Sequence, residues 1–430
     1  MSHPKERRPL DLELSRRAFL QKSAGAAFAL SGAGALLAAC GKGTPAPIGT
    51  GGGGSGASAS ASSALPLARP NNPVKWPIYP DNQPIADGLQ PEQNATLKVY
   101  NWSDYIYKKV LNDFGKKYNC KIDLSTFNNM DEAIAKIRSG QVDFDIFFPT
   151  VDVLGKLIVS KYIRPVNHSY IPNITNVWTE FQNPFYDQGW QYTTPYVVYT
   201  TGIAWRTDHV SDDVASMSNP YDIFWNTKYK GKIEILDDYR EGISMVLLKN
   251  GINDLNTCDA GQLAKAQQDL SSLASTIHPL VNVQDYVDLP TGKTWINQAW
   301  SGDMVNAQYY GPKGFDPSVI RYWYQPQVAP TFNDLVVSLT SGKNPVLSHL
   351  FLNYMLDYNN AMENFSWVGY QPPQTKVTAD LLIKQQLIPR TLSTAVVPES
   401  IWSTGSRELE LDPGCDDQWH TIWEQFKAGH

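Results

Sequence analysis

Strand-like and helix-like segments alternate from residue 96 onward, and this alternation constrains the fold more than any other feature of the chain. The strand-like segments are rich in β-branched and aromatic residues, whereas the helix-like segments repeat apolar residues with helical spacing. In chain order the segments are Leu97–Tyr100, Tyr105–Lys117, Cys120–Phe127, Met130–Ser139, Val142–Phe148 and Thr150–Ser160. Because strands that alternate with helices pair in parallel, the pattern predicts an α/β fold.

Two longer extended segments, Pro195–Trp205 and Val328–Leu339, separate this region from a second one. The roughly 335 residues that follow Ala95 are too many for one compact core. We therefore predict two lobes, with the chain crossing between them at the two extended segments. Further strands are predicted at Lys232–Leu236 and Thr294–Trp300, and further helices at Glu241–Lys249, Leu263–Leu273, from Asp303, Leu347–Tyr358 and Ala379–Gln386.

The N-terminal segment carries an export signal. Ser15-Arg16-Arg17-Ala18-Phe19-Leu20 matches the twin-arginine pattern, and Leu37-Ala38-Ala39-Cys40 is similar to a bacterial lipobox. A membrane-spanning anchor is the alternative, but the apolar run between these motifs is short and rich in glycine. We predict that residues 1–39 form a twin-arginine lipoprotein signal peptide and that Cys40 is lipidated.

Two segments of biased composition follow the predicted lipidation site. Residues 40–64 are almost wholly small or polar, which predicts a flexible linker. Residues 65–95 are rich in proline and are predicted to form an extended arm that lies on the folded domain. A linker between a lipidated cysteine and a folded body is typical of a receptor held at the outer face of a membrane.

The charge of the chain narrows the classes of ligand. The formal net charge is −6, and the export segment holds six basic and three acidic residues, so a mature chain lies near −9. A strongly acidic chain argues against nucleic-acid binding and suits a cationic ligand. The chain also contains 13 Trp and 22 Tyr, which are many for its length. Ligand stacking is one use of such residues, although a Trp-rich core accounts for most of them.

Cysteine and histidine give no sign of a metal centre. Beyond Cys40 the chain has Cys120, Cys258 and Cys415, which allow at most one disulfide bond and leave its pairing open. No cysteine pair has metal-ligand spacing, and neither a nucleophile elbow nor a phosphate-binding loop occurs. We predict no metal, no cofactor and no catalytic residues.

The stretch Tyr100–Ile106, which follows the first predicted strand, is the clearest candidate for a binding site. Ligands of open α/β sheets bind beyond the carboxyl ends of the strands. Trp102, Asp104 and Tyr105 would present two π faces and a carboxylate there, a combination that suits an organic cation. Ser103 is predicted as a further polar contact, or as the N-cap of the helix that follows.

Seven short motifs, taken in order, resemble those of the bacterial spermidine- and putrescine-binding receptors of ABC importers. The resemblance covers residues 96–430 and implies a type II periplasmic-binding-protein fold, in which two lobes joined by a hinge close over a ligand cleft. The implied lobes are residues 96–201 with 334–380, and residues 202–333 with 381–430. The motifs are Asn101-Trp102-Ser103-Asp104-Tyr105-Ile106, Phe148-Pro149-Thr150, Pro195-Tyr196, Leu236-Asp237-Asp238-Tyr239-Arg240-Glu241, Trp300-Ser301-Gly302-Asp303, Phe332-Asn333-Asp334 and Gly369-Tyr370.

The resemblance also implies two kinds of contact with a polyamine. Aromatic side chains cover the methylene groups and add cation–π attraction of roughly 0.5–2 kcal/mol per contact. Carboxylates and hydroxyls bind the ammonium groups through charge-assisted hydrogen bonds. The implied aromatic residues are Trp102, Tyr105, Trp300, Phe332 and Tyr370, and the implied polar residues are Ser103, Asp104, Thr150, Asp238, Glu241, Asp303 and Asp334.

Most of these candidates also have a purely structural interpretation. Asp238 and Glu241 have the spacing of a capping box, in which each would bond the first turn of a helix. Asp334 is the hardest to explain in this way, because a lone carboxylate within an apolar strand must find a partner or be neutralised. The remaining structural alternatives are an N-cap for Thr150, a core position for Trp300 and a first-turn charge for Asp303.

The sequence gives mixed evidence on the length of the polyamine. Asp104, Asp303 and Phe332 are residues of the putrescine type in the family that the chain resembles. Asp152 stands where the spermidine type has an aromatic residue, and a carboxylate facing the cleft there would favour a triamine. We predict that Asp152 faces outward from the first turn of a helix, which leaves a diamine preferred.

Taken together, the patterns predict an extracytoplasmic lipoprotein that captures putrescine or spermidine and delivers it to an ABC permease. We expect it to act as a monomer, held to the membrane by its lipid and not binding nucleic acid. One alternative is a receptor for another solute, such as a sugar, which converging carboxylates disfavour. The other is an exported hydrolase that uses Asp303 and Asp334, which needs one carboxyl group with a raised pKa.

The lipid anchor can be tested by replacing its predicted attachment site. Cys40→Ser removes the thiol that would carry the lipid, so we expect the exported protein to leave the membrane fraction. Fractionation of cells that express the wild type and the variant measures this. A variant that stays in the membrane fraction and incorporates labelled fatty acid would contradict the lipobox interpretation.

Overall fold

Two long strands connect the two halves of the fold. The computed structural model describes residues 65–429, so the predicted signal peptide, Cys40 and the linker to residue 64 lie outside the described residues. Within these residues the strands are β1 (Thr96–Trp102), β2 (Lys121–Phe127), β3 (Ile146–Phe147), β4 (Thr194–Arg206), β5 (Ile233–Leu236), β6 (Leu280–Asn282), β7 (Ile296–Trp300), β8 (Ile320–Trp323) and β9 (Thr331–Ser338).

Helices flank these strands. Within residues 65–429, no helix combines the length and the apolar character needed to cross a bilayer. Short 3₁₀ turns connect many of the elements, including Val151–Val153. The α-helices are α1 (Lys108–Tyr118), α2 (Met130–Ser139), α3 (Leu154–Val159), α4 (Tyr239–Lys249), α5 (Ala260–Thr276), α6 (Asp285–Thr291), α7 (Ser301–Ala307), α8 (Pro345–Met355), α9 (Tyr358–Val368), α10 (Ala379–Lys384), α11 (Glu399–Trp402) and α12 (Pro413–Ala428).

The strands form one sheet in the order β2-β1-β3-β9-β4-β7-β5-β6, and β8 also pairs with β4. β1 pairs in parallel with β2 and β3, and β5 pairs in parallel with β6 and β7, which confirms the predicted α/β fold. β4 and β9 run antiparallel to each other. The first part of β4 pairs with β9, and its last part pairs with β7 and β8. The chain therefore passes from one half of the sheet to the other within β4.

Four hydrophobic cores cover the two faces of this sheet. Two lie on the β2-β1-β3-β9 side, and two lie on the β7-β5-β6 side. β9 shows the alternation of a buried strand, because Leu335 and Val337 enter one core while Val336 enters the other. Every residue of β5 and of β9 is buried, so both strands lie inside the fold and not at an edge of the sheet.

The segment before β1, residues 65–95, has no helix and runs along the surface. The indole Nε1 of Trp76 donates to the Tyr186 carbonyl at 2.7 Å, and the Trp76 ring is buried. The amide of Val74 donates to the Phe185 carbonyl at 2.9 Å. Backbone bonds and one buried indole therefore hold the segment in place without regular secondary structure.

A long C-terminal helix, α12, escaped the sequence analysis. Its residues Trp419 and Trp423 enter the same core as α4 and α5. Cys415 in its first turn forms a disulfide bond with Cys258, and the half-buried Cys120 is a free thiol. The sequence left this pairing open because the two cysteines are 157 residues apart along the chain.

Several element boundaries differ from the predicted ones. α1 begins at Lys108 with Tyr107 as its N-cap, so Ser103 is not a helix cap. The reason is the positive φ of Asp104, 56°, which turns the chain before the helix can start. The predicted helix Leu347–Tyr358 ends as α8 at Met355, and Asp357 then caps α9 by accepting from two amides. Only two residues of the predicted strand Val142–Phe148 pair with neighbours.

Candidate functional site

The predicted site residues lie on loops and strand ends beside the crossing of β4 and β9. The carboxyl ends of β1, β5 and β7 contribute from the two halves, as expected for parallel strands. β9 itself brings Phe332 and Asp334 into the crossing, with Asp334 next to Val197 of β4. A site built at this crossing receives side chains from both halves of the fold.

Asp334 is a buried carboxylate without a basic partner. It is only 4 % exposed, and it accepts hydrogen bonds from the Tyr105 hydroxyl at 2.6 Å and the Tyr199 hydroxyl at 3.2 Å. Burial raises its pKa to about 7, against the opposing effect of the two tyrosine hydrogen bonds. No Lys or Arg in the part of the chain that the structure describes forms an ion pair with it. Asp334 therefore lacks a positively charged partner, which a bound cation would supply.

Glu241 occupies a second position of the same kind on the other half. Its Oε1 accepts from the Trp300 indole at 2.6 Å and from the Thr201 hydroxyl at 2.8 Å. Burial raises the pKa of Glu241 to about 8, with a further contribution from the charge of Asp238. Asp238 caps α4 by accepting from the amides of Arg240 and Glu241. Half of the capping-box interpretation is therefore right: Asp238 caps the helix, while the Glu241 side chain contacts Trp300 and Thr201.

Glu408 lines the same region of the site as Glu241, and the sequence analysis did not identify it. Burial and the charge of Glu241 raise the pKa of Glu408 well above its usual range. Its Oε1 is shielded from solvent and has no hydrogen-bond partner within residues 65–429, while the neighbouring Ser244 hydroxyl acts against the rise in the Glu408 pKa. The Tyr221 hydroxyl is also shielded and has no hydrogen-bond partner in these residues. A small cavity is lined by Glu241, Glu408, Ser244 and Tyr221 together with Thr201 and Phe332. The sequence hides Glu408 because it alternates with the buried Leu409 and Leu411, which predicts an exposed side chain.

Asp303 sits against a second acid. It is 6 % exposed, and burial raises its pKa to about 6, against the opposing effect of the neighbouring Asp285 carboxyl and Tyr370 hydroxyl groups. Asp285 is fully buried, and its pKa lies well above the usual range because of burial and the charge of Asp303. Asp285 also escaped the sequence analysis, since a carboxylate at a helix start is an ordinary pattern.

Three of the predicted aromatic residues form one continuous group. The ring centroid of Tyr370 lies 4.7 Å from that of Tyr105 and 5.6 Å from that of Tyr199, which in turn lies 5.5 Å from Phe332. Gly302 packs flat against Tyr370, and a Cβ at that position would lie 2.3 Å from the ring. The glycine of the Trp-Ser-Gly-Asp motif therefore makes room for Tyr370.

Trp102 lies apart from this group. It is half-buried, its ring centroid lies 4.6 Å from that of Phe127, and its indole donates to the Phe148 carbonyl at 3.2 Å. Trp300 is likewise half-buried, with its indole turned towards Glu241.

The remaining polar candidates are more exposed. The Ser103 hydroxyl reaches only the Phe127 carbonyl, at 3.4 Å. Asp104 is exposed and accepts from the Tyr286 hydroxyl of α6 at 3.3 Å, which links the turn after β1 to the other half. Thr150 is half-buried, makes no capping hydrogen bond and pairs with Asp334 through a β-bridge. The N-cap interpretation of Ser103 is therefore wrong, whereas Thr150 occupies the N-cap position of the 3₁₀ turn Val151–Val153 without a side-chain hydrogen bond.

Asp152, for which we predict an outward orientation, is only partly exposed. The side chain is half-buried, and its charge raises the pKa of Asp334 and Asp238, which belong to opposite sides of the site. It acts in the same way on Glu410.

Metal-binding chemistry has no support in the described part of the chain. No three of its His, Cys, Asp and Glu side chains gather in a way that would hold a metal ion. The acids of the site are instead spread along it, each with aromatic or hydroxyl neighbours.

Comparisons with known proteins agree with this geometry. The family model of bacterial extracellular solute-binding proteins matches residues 109–387. The putrescine/cadaverine-binding protein of Pseudomonas aeruginosa is 26% identical over 295 residues, covering 67% of this chain and 82% of that protein. The spermidine/putrescine-binding periplasmic protein of Escherichia coli is 22% identical over 340 residues, covering 79% of this chain and 93% of that protein.

Solved structures show the same fold. The spermidine/putrescine ABC transporter substrate-binding protein PotD of Streptococcus pneumoniae superposes with a TM-score of 0.62 at 24% identity, covering 79% of this chain and 99% of that one. A putative spermidine/putrescine ABC transporter protein of Listeria monocytogenes gives 0.67 at 22% identity, covering 78% and 99%. The predicted two-lobe periplasmic-binding-protein fold is thereby confirmed.

The buried acids predict an unusual dependence of stability on pH. In the folded, ligand-free protein, Asp334 and Glu241 hold protons that an unfolded chain has already released above about pH 4. Because the folded state then binds more protons, the free energy of unfolding contributed by these groups falls as pH rises to about 8. We expect Glu241→Gln to weaken this fall, measured by thermal unfolding across that range. Asp123→Asn, at an exposed position of β2, is the control and should leave the slope unchanged.

Proposed function

The chain belongs to the bacterial extracellular solute-binding proteins, and we propose that it is the polyamine receptor of an ABC importer. This family consists of transport proteins and not of enzymes. The observation that carries the proposal is a group of buried carboxyl groups that have no basic partner. Asp334, Glu241 and Asp303 are each at most 6 % exposed, and none has a Lys or Arg partner in the described residues. Buried charges of one sign call for a ligand of the other sign.

A linear polyamine matches the arrangement of these groups. Its ammonium groups would bind carboxylates at Asp334, at Glu241 with Glu408, and at Asp303. The methylene groups between them would lie against Tyr105, Tyr370, Tyr199 and Phe332, whose rings contact one another. The names of the relatives, which bind putrescine, cadaverine or spermidine, support this class of ligand.

The two alternative functions explain the site less well. A neutral solute such as a sugar would leave several buried carboxylates without a counter-charge, at a cost of several kcal/mol each. A hydrolase based on Asp303 and Asp334 has the raised pKa values that such chemistry needs. However, Glu241 and Glu408 also have raised pKa values, so the shifts follow from shared burial and single out no acid–base pair.

The proposal includes the path of the protein to its place of action. Residues 1–39 direct export by the twin-arginine route, Cys40 carries the lipid, and residues 40–64 connect it to the receptor. The lobes are residues 96–201 with 334–380 and residues 202–333 with 381–430, and they close on the ligand. The liganded monomer then docks on the permease.

The first test is the affinity for four amines. Calorimetric titration of the soluble domain with putrescine, cadaverine, spermidine and spermine should show saturable binding. We expect Asp334→Asn to weaken binding by about 2 kcal/mol, roughly 30-fold in Kd, since one ammonium loses its counter-charge.

Asp187→Asn is a matched control for this variant. Asp187 is as buried as Asp334, but it accepts from the amides of Tyr192 and Thr193 away from the site. The control should lower the melting temperature and leave the affinity unchanged. An Asp334→Asn protein that binds within about twofold of the wild type would remove Asp334 from the site.

We propose that Asp152 faces the cleft, because its charge raises the pKa of both Asp334 and Asp238, and this reverses the expected preference for chain length. A carboxylate that faces the cleft gives a triamine a partner for its third nitrogen, whereas a diamine leaves it unpaired. We therefore expect spermidine to bind more tightly than putrescine, and Asp152→Ala to weaken spermidine selectively. Equal, small effects on both amines would contradict this role. Asp123→Ala serves as the exposed control.

A further inference from the structure

Asn256 fixes the backbone on both sides of Glu408. Its Nδ2 donates to the Arg407 carbonyl at 2.8 Å, and its Oδ1 accepts from the Leu409 amide at 2.7 Å. A neighbouring β-strand supplies bonds of the same two kinds to an extended segment. Residues 405–412 belong to no helix or strand, so this one side-chain amide takes the place of a strand partner.

Arg240 ties the same segment to the helix that carries Glu241. Its Nη1 donates to the Leu409 carbonyl at 2.8 Å, and its Nη2 donates to the Asn256 Oδ1 at 2.7 Å. Arg240 is buried and forms no ion pair with an acid in the described part of the chain. Because Arg240 and Glu241 are consecutive residues of α4, the backbone that carries Glu408 is held at a fixed place relative to Glu241.

The loop that carries Asn256 is anchored in turn to α12. Cys258, two residues further along the loop, forms the disulfide bond with Cys415 in the first turn of that helix. The carbonyl of Thr257, which lies between Asn256 and Cys258, accepts from the Trp419 indole Nε1 at 3.0 Å. A covalent bond and a buried hydrogen bond therefore keep the Asn256 side chain in place.

The side chain that these contacts place is a carboxyl group without a full set of partners in the protein. Glu408 lines the small cavity next to Glu241, and its Oε1 is shielded from solvent without a hydrogen-bond partner within residues 65–429. The hydroxyl of Tyr221, which lines the same cavity, is likewise without a partner in those residues. No Lys or Arg among them forms an ion pair with Glu408. Burial of such an oxygen destabilises the fold, so the rigid backbone around it suits a group that binds a ligand.

Building on the proposed function, we propose that Asn256 is a positioning residue for ligand binding, which holds Glu408 beside Glu241 so that both carboxylates receive one ammonium group of a polyamine. An ammonium group carries three N–H donors, so it can bind two carboxylates at once. Asn256 acts through Glu408, because both ends of its amide are bonded to the backbone or to Arg240. A displacement of Glu408 by about 1 Å would break one of the two contacts, since charge-assisted hydrogen bonds are short.

A double-mutant cycle separates this role from a contribution to stability alone. Asn256→Ala removes both backbone bonds, and Glu408→Ala removes the carboxylate that they position. We expect each variant to weaken spermidine binding roughly tenfold in calorimetric titration. In a protein that already carries Glu408→Ala, the addition of Asn256→Ala should change the Kd by less than about twofold, because no carboxylate is left to position. Two losses that multiply in the double variant would overturn the inference.

Asn167→Ala is the matched control. Asn167 likewise donates to a backbone carbonyl, that of Ile85 at 2.9 Å, and accepts from a backbone amide, that of Ser169 at 2.9 Å. None of these three residues is among those that form the site. We expect the control to lower the melting temperature and to bind spermidine as the wild type does. A loss of affinity equal to that of Asn256→Ala would show a general effect of lost hydrogen bonds and would contradict the positioning role.

A structure of the wild-type protein with spermidine tests the inference without any variant. One nitrogen of the ligand should lie within about 3 Å of carboxyl oxygens of both Glu408 and Glu241, while the two backbone bonds of Asn256 are kept. A bound spermidine that leaves Glu408 without a nitrogen contact would overturn the inference and leave the receptor function standing. Absence of binding by all four amines would overturn both.

Discussion

The desolvation of unpaired carboxylates is the constraint on which the site depends. A buried carboxylate without a counter-ion is stabilised only by hydrogen bonds, by a proton or by an incoming cation. Asp334 and Glu241 each receive two hydrogen bonds from aromatic or hydroxyl donors, which is enough to orient them and too little to neutralise them. The raised pKa values of Asp334 and Glu241 reflect the absence of a positively charged partner. Each of these carboxyl groups is therefore a position at which a bound cation would be stabilised.

The fold supplies these positions by bringing strand ends from two halves to one crossing. β9 carries Asp334 and Phe332 in adjacent alternate positions, so one strand presents an acid and a ring to the same side. β7 ends at Trp300, and the second residue of α7, Gly302, leaves room for the ring of Tyr370. The aromatic rings thus form the surface along which the acidic side chains are spaced, and the positions of the strands in the sheet set that spacing.

Local patterns predicted the elements and the motif-bearing part of the site. The bounds of α2 and the long strand β4 followed from apolar periodicity, because both depend on nearby residues. Glu408, Asp285 and the helix α12 did not follow, since their environment is created by segments far away in the chain. Asp152 shows the same limit: a first-turn carboxylate looks alike in sequence whether it faces solvent or a cleft. The burial of a polar group depends on tertiary contacts. The alternation of Glu408 with buried leucines is typical of an exposed side chain, whereas burial raises the pKa of its carboxyl group.

The pairing of β4 with β9 sets how the two halves can move. Hydrogen bonds join these strands from Thr194 and Val336 to Thr200 and Thr331, with a bulge between Pro195 and Val197. Two independent connections would let the halves swing in many directions, whereas a two-stranded ribbon resists shear and yields most readily by twisting about its long axis. A rotation of one half against the other would therefore twist this ribbon about its long axis.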